Sequence, residues 1–283
     1  MNKSELKSLR VIISRALEED LGDGDITTLS TVPIRSTLKG TFTAKESGII
    51  AGLQVVHETL KYLDPRIKFT AHVSDGDHVV KGTVLATVHG NGRAMLIAER
   101  TALNFFQRMS GIATTTHSYV DAVRSTKAII VDTRKTAPGL RLLDKWAVRI
   151  GGGQNHRFGL YDMALIKENH IAASGGITQA VARVRATDKK KRPIEVEVRT
   201  LDELHEALKL HVDRILLDNM SLDKLHESVR ITNGMTMLEA SGNVSLESVR
   251  AIATTGVNII SVGKLTHSVR ALDISFLIGA VIK

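Results

Sequence analysis

Residues 214–241 read RILLDNMSLDKLHESVRITNGMTMLEAS. An apolar run, RILLD, ends in an acid; Leu222, Leu225 and Val229 then recur at helical spacing, and a second apolar run, MTMLEAS, closes the stretch. A short continuous apolar run is covered on both faces, which is the habit of parallel strands joined by helices. The stretch therefore reads as strand, helix, parallel strand.

Outward from it the theme repeats. AIIVD (128–132), ALIK (164–167), IEVEV (194–198) and NIISVG (258–263) are further strand candidates, with starts about 20 to 35 residues apart. Helical stripes lie between them at Ile177, Ala180, Val181 and Val184, at Leu201, Leu204 and Leu208, and at Leu246, Val249 and Ile252. Six such units with right-handed crossovers make either an open doubly wound sheet or an incomplete α/β barrel. The strand ends favour the barrel. Asp132 with Arg134 and Lys135, then Lys167, Glu197, Asp218, Glu239 with Ser241, and Gly263 all fall where a run stops, and a barrel brings such positions to one mouth.

Residues 1–112 have a different pattern and read as a smaller N-terminal α+β domain, leaving 113–283 for the barrel, with the last residues packing back on the first domain. Leu6, Leu9, Ile13 and Leu17 mark an amphipathic helix, and KGTFTAKESGIIAG, KFTAHV and TVLATVHG are strand-like. ERTALNFFQRMSGIATTTHSYVDAV (99–123) is a long helix candidate joining the two parts. SDGDHVVKGTVLATVHG (74–90), with Gly76 and Gly82 at turns, resembles the hairpins of biotinyl and lipoyl carriers. It lacks a lysine at an exposed tip, so a structural hairpin is expected.

No cysteine occurs in the 283 residues, which excludes disulfides and thiolate metal sites and points to a reducing, cytoplasmic compartment. The first 20 residues are broken by charge and fit neither a signal peptide nor a membrane span. A net charge of +8 admits nucleic acid, an anionic surface or small acidic substrates. Between Asp132 and Lys167, Arg134, Lys135, Arg141, Lys145, Arg149, Arg157 and Lys167 face only three acids, with little aromatic interleaving. A compact anion pocket is expected there rather than a nucleic-acid stripe. KKKR (189–192) reads as a solvated loop.

The candidate chemistry sits in the same region. In IGGGQNHRFG (150–159), Gly151–Gly153 mark either a tight turn or a backbone laid against a flat or anionic group. Lys167 is open to three readings: Schiff-base formation, anion binding or exposed structure, with Arg134, Lys135, His156 and Arg157 favouring the anion. Glu197 and Asp218 serve either internal salt bridges or a divalent cation carried by a polyphosphate. His156 is either a satisfied core histidine or a ligand contact. ASGN (240–243) and SVGK (261–264) end the last two strands and suit backbone binding of phosphate. GxGxxG, Walker, HExxH and GxSxG motifs are absent.

DTRKTAPGLRLLDKWAVRIGGGQNHRFGLYDMALIKENH (132–170) resembles the signature region of the quinolinate phosphoribosyltransferases. EDLGDGDITT (19–28), ERTALNFFQRMSGIAT (99–114), IEVEV, ILLDNM, LEASGN and SVGKLTHS extend the likeness in order over most of the chain. The resemblance implies an N-terminal α/β domain with a seven-stranded incomplete barrel, assembled as a homodimer or multiples of dimers. It implies transfer of phosphoribosyl from phosphoribosyl pyrophosphate to quinolinate, with Mg²⁺ and no organic cofactor, releasing pyrophosphate and CO₂. Thr133, Arg134, Lys135, His156, Arg157 and Lys167 would bind the acceptor, and Arg100 would come from the partner subunit. Glu197 and Asp218 would lie near the ribose and would hold Mg²⁺ directly or through water and pyrophosphate. Ser241, Gly242, Asn243, Gly263 and His267 would bind phosphate; Lys135, Lys167, Glu197 and Asp218 would be catalytic. Departures from the family pattern are Asn243 in place of glycine, Lys264 in place of a small residue and Arg270 in place of proline. Neither nucleic acid nor a membrane is an expected partner. The alternatives are a relative of the same fold acting on nicotinate or associated with molybdenum transport, and a Schiff-base aldolase.

Overall fold

The computed structural model describes residues 3–279. In chain order its early elements are α1 (Lys3–Leu21), α2 (Ile26–Thr31), β1 (Thr37–Ala44), β2 (Gly48–Ile49), α3 (Leu53–Leu63), β3 (Lys68–Ala71), β4 (His78–Val79), β5 (Val84–Asn91), α4 (Gly92–Val123), β6 (Ile129–Val131) and α5 (Arg141–Ile150). There follow β7 (Ala164–Ile166), α6 (Glu168–Ser174), α7 (Ile177–Thr187), β8 (Ile194–Val198), α8 (Leu201–Lys209), β9 (Arg214–Asp218), α9 (Leu222–Thr232), β10 (Met237–Ser241), α10 (Leu246–Thr254), β11 (Ile259–Ser261), α11 (Lys264–His267) and β12 (Ile274–Ile278). None of the described helices is long and apolar enough to cross a membrane.

The chain divides into two compact units. The first holds residues up to Thr115, Ala137–Gly151 and the residues from Ser268 onward. Its antiparallel sheet runs β12-β1-β5-β3, so a strand from the end of the chain pairs with one near its start. Leu9, Ile13 and Leu17 of α1 are buried, as their spacing predicts, while Phe42, Phe106 and Phe276 meet inside the sheet-and-helix core. Residues 137–151 group with the first unit because Asp144 on α5, wholly buried, accepts two 2.8 Å bonds from the Arg108 guanidinium on α4. A buried carboxylate needs such a partner, and the pair anchors α5 there.

Residues 74–90 also depart from expectation. Gly76 and Gly82 do sit at turns with positive φ, but β4 pairs with β2 while β5 pairs with β1 and β3. The two strands serve different sheets and form no hairpin; Thr83 is held back by the Val80 carbonyl and sends the chain elsewhere. Gly111 of α4 lies against the Arg270 carbonyl and the Ala271 Cα, where a Cβ has no room and the neighbours are backbone. Gly111→Ala is expected to cost about 1–3 kcal/mol, visible as a lower thermal midpoint.

The second unit, Thr116–Thr136 with Gly152–His267, carries a parallel sheet in the order β6-β11-β10-β9-β8-β7. All six runs expected from the sequence are strands. Beyond β6 the sheet gains a single-residue parallel bridge, in which Gln154 donates to Ile130 O at 2.9 Å and accepts from Asp132 N at 3.2 Å. This bridge occupies a seventh place, and the sheet ends at β7 on the other side. Helices follow the strands as read. At α8 the start is a reciprocal cap, Thr200 Oγ1 accepting from Glu203 N while Glu203 Oε2 accepts from Thr200 N, each at 3.2 Å. Leu204 and Ala207 form its buried side. The lysines of KKKR are exposed, while Arg192 is half-buried and pairs with Asp188 at 3.4 Å.

Candidate active site

The strands of the second unit are in register: Asp218 stands beside Ser241, and Glu239 beside Leu216, which stands beside Glu197. Parallel register with a two-residue side-chain period carries equivalent positions to the same end of the sheet. The residues at the carboxyl ends of the strands surround one cavity of about 550 Å³. Thr133, Arg134 and Lys135 enter after β6, Lys167 after β7, Glu197 from β8, Asp218 from β9, Ser241–Asn243 after β10, and Gly263 and His267 after β11. His156 and Arg157 complete that set.

Arg134, Lys135, Arg157, Lys167 and Lys264 give the cavity its positive character. Arg157 reaches Met163 O through Nη1 at 3.1 Å, and its charge is disfavoured first by burial and then by Arg134. Two guanidiniums forced together in this way are a ready receptor for an anion, which relieves their repulsion. Lys167 Nζ is 3.8 Å from Glu197 Oε2, and Arg199 Nε is 3.4 Å from Asp218 Oδ2. Glu197 and Asp218 belong to no three-ligand cluster among the described residues. They suit Mg²⁺ arriving with a polyphosphate, which needs only one or two carboxylates because phosphate oxygens and water supply the rest.

The loop after β10 is built for close approach. Gly242 has φ +103°, and a Cβ there would overlap the Asn219 amide. Asn219 donates to Asp218 Oδ1 at 3.0 Å and accepts from Asn243 Nδ2 at 3.2 Å, tying the β9 end to this loop. Asn243, the departure from glycine, takes φ +49°, a left-handed conformation that asparagine tolerates. Lys264 lines the cavity and adds charge, whereas Arg270 lies in the first unit on Glu46 at 2.8 Å.

Arg100, expected to act from a partner subunit, sits on α4 in the first unit, beside Asp20 and Asp25 in a hollow separate from this cavity. Other expectations need correction. Arg141, Lys145 and Arg149 were counted toward the anion pocket but belong to α5, because the chain leaves the strand region between Ala137 and Gly151. The glycine run ends α5 and turns the chain toward Gln154, with Gly152 at φ +90°, and none of the three glycines lines the cavity. Asn155 likewise turns inward, donating to the buried Asp132 carboxylate at 2.6 Å.

The sequence reading missed what lies beneath His156. Its Nε2 is 3.1 Å from Glu195 Oε2 and 3.2 Å from Glu239 Oε2, and Arg214 Nη1 is 3.1 Å from the same Glu239 oxygen. Both carboxylates are fully buried. Burial pushes Glu195 above the usual carboxylate range; at Glu239 burial is overcome by the hydrogen bond from His156, which holds it below. For His156 burial opposes the charge, yet the two carboxylates outweigh it and push the pKa up to about 9. A doubly protonated ring would point Nδ1–H at the Arg157 N–H, which instead donates to Nδ1 at 2.8 Å. Two donors do not face each other at that distance, so Nδ1 accepts and Nε2 faces the carboxylates as the protonated nitrogen. The signal for the missed residues was period two, which puts Glu195 one layer below Glu197 and Arg214 on the face of Asp218.

Two family models match the chain: the C-terminal domain of quinolinate phosphoribosyl transferase over residues 112–277 and its N-terminal domain over residues 25–110. A rice (Oryza sativa subsp. japonica) protein named nicotinate-nucleotide pyrophosphorylase (carboxylating), chloroplastic, is 48% identical over 286 residues, covering 94% of this chain and 76% of that one. A Bacillus subtilis protein named probable nicotinate-nucleotide pyrophosphorylase (carboxylating) is 44% identical over 97% of this chain and 94% of its own. The crystal structure of nicotinate-nucleotide pyrophosphorylase from Ehrlichia chaffeensis superposes with a TM-score of 0.91 at 41% identity, covering 99% of both chains. With a matched barrel, a matched first domain and relatives of this similarity along nearly the whole length, the chain belongs to the quinolinate phosphoribosyltransferase family.

Proposed function

We propose that this cavity transfers the phosphoribosyl group of phosphoribosyl pyrophosphate to the ring nitrogen of quinolinate and releases CO₂, giving nicotinate mononucleotide for NAD biosynthesis. One observation carries the reading: five cations, two strand-end carboxylates and two phosphate-type loops converge on a single cavity. Arg134, Lys135, Arg157 and Lys167 pair with the two acceptor carboxylates, Ser241–Asn243 with Gly263 and His267 hold the 5′-phosphate, and Glu197 and Asp218 take the ribose hydroxyls. Those two acids would also hold Mg²⁺, directly or through water, and the ion would supply positive charge toward the leaving pyrophosphate.

In the reaction the pyridine nitrogen lone pair forms a bond to the anomeric carbon while the carbon–oxygen bond to pyrophosphate breaks, its electrons leaving with the pyrophosphate. The bond from the ring carbon beside the nitrogen to its carboxylate then breaks; CO₂ departs, the pair stays on the ring next to the pyridinium nitrogen, and a proton takes its place. The protein's part is to orient the two anions and to stabilise charge that moves.

The test compares quinolinate and nicotinate as acceptors at equal concentration with phosphoribosyl pyrophosphate and Mg²⁺. A requirement for the second carboxylate supports the reading; preference for nicotinate would replace it with the sister reaction. Assembly as a homodimer or a multiple of dimers, with Arg100 acting across subunits, belongs to the same proposal. Mixing inactive Arg100→Ala and Lys167→Ala proteins is then expected to restore up to about a quarter of the activity by random pairing, and mixtures that exchange subunits but stay inactive would show that Arg100 does not act across subunits.

A further inference from the structure

Asn219 joins two neighbouring strand ends at the cavity wall. It follows Asp218 at the end of β9 in a left-handed conformation, φ +53°, and its N–H donates to the Ser241 carbonyl of β10 at 2.9 Å. Its amide lies against the loop after β10, where a Cβ on Gly242 would overlap the amide oxygen, carbon and nitrogen alike. The direction of each side-chain bond is forced. Asp218 Oδ1 belongs to a carboxylate and accepts, so the Asn219 NH₂ group faces it at 3.0 Å; this turns Asn219 Oδ1 the other way, where Asn243 Nδ2 donates at 3.2 Å. An amide turned over would set oxygen against oxygen and nitrogen against nitrogen and lose both contacts. Arg199 Nε lies 3.4 Å from the other Asp218 oxygen, so that carboxylate is held from both sides.

We propose that Asn219 is a positioning residue for the phosphoribosyl donor: one amide holds the Asp218 carboxylate, which meets the ribose, at a fixed separation from the Ser241–Asn243 loop, which holds the 5′-phosphate. Ribose and 5′-phosphate are parts of one small molecule, so their two receptors must be spaced correctly at the same moment. Receptors fixed before binding spare the donor the cost of ordering them. Asn219 thereby acts through Asp218 and Asn243, as an outer group that orients an inner one does at a metal site, where its loss is felt by the ligand. Both side-chain bonds are exposed, so water replaces them when the amide is removed and the fold loses little. The proposal rests on the assignment of ribose and 5′-phosphate to these groups, and experiment separates the two.

Asn219→Gly keeps the left-handed backbone and the N–H to Ser241 while deleting the amide. KM for phosphoribosyl pyrophosphate is expected to rise on the order of 10-fold, with KM for quinolinate and the thermal midpoint held. Asn243→Gly, which cuts only the loop half of the bridge, is expected to give a smaller rise of the same kind. The double variant should be no worse than Asn219→Gly alone, because both changes remove one connection. Inhibition by nicotinate mononucleotide, which carries the ribose and 5′-phosphate without pyrophosphate, should weaken in parallel. Equal rises in both KM values, an unchanged KM for phosphoribosyl pyrophosphate, or losses that add in the double variant would overturn the proposal. Failure of the unaltered protein to use quinolinate would instead sink the assigned reaction. Calorimetric binding of nicotinate mononucleotide then decides the bridge: weaker binding by Asn219→Gly supports it, and equal affinities overturn it.

Discussion

Lys167→Ala is expected to lower kcat by on the order of 10² to 10³, the loss typical of one preorganised charge at a developing anion. The side chain is half exposed in the cavity with only a 3.8 Å contact to Glu197, so it contributes little to folding. Its backbone is fixed independently: Lys167 opens α6, and its N–H donates to His170 Nδ1 at 3.0 Å. An ammonium held on a rigid helix start is pre-aimed, and water that replaces it in the alanine variant must reorganise as charge moves. Single-turnover rates beside a circular-dichroism melt decide the matter. An unchanged rate with an unchanged melt removes Lys167 from the machinery, and borohydride trapping of an adduct would turn it into a Schiff-base nucleophile.

Arg157→Ala is expected to act on binding instead. Hydrogen bonds to charged groups contribute roughly 1.5–3 kcal/mol, so losing the pairing with one carboxylate should raise KM for quinolinate by about 10- to 150-fold. Selectivity should fall with it, because nicotinate lacks one of the carboxylates that the fork would hold. Arg157→Lys should recover only part of the loss, since an ammonium does not reproduce the planar pair of donors. Relief of the repulsion with Arg134 works the other way in the free protein, making the alanine variant no less stable than the parent. A selectivity between the two acceptors that does not change would place Arg157 away from the second carboxylate.

Much of this was legible in the chain. Runs such as RILLD and NIISVG declare parallel strands because burial on both faces leaves no room for alternation, and the ionisable residues at their ends mark the cavity. What escaped notice was long-range. Nothing local in RLLDKWAVRI (141–150) tells that its three cations leave the site; that depends on Asp144 finding Arg108, 36 residues earlier. Residues 74–90 had the turns of a hairpin, but pairing partners are chosen by the whole sheet, and β4 found β2. The glycines before Asn155 have the look of a binding loop and serve to end a helix. The alternation of IEVEV places Glu195 and Glu197 on one face, but nothing in the run alone tells that Glu195 lies one layer deeper, under His156.

The central claim is that one cavity performs both phosphoribosyl transfer and loss of a specific carboxylate. The most direct measurement follows quinolinate labelled in the carboxylate beside the ring nitrogen, counting labelled CO₂, pyrophosphate and nicotinate mononucleotide in one reaction. Equal amounts of all three, abolished together in Lys167→Ala, are the expected result. Pyrophosphate formed without labelled CO₂, or turnover of nicotinate in place of quinolinate, would contradict the account.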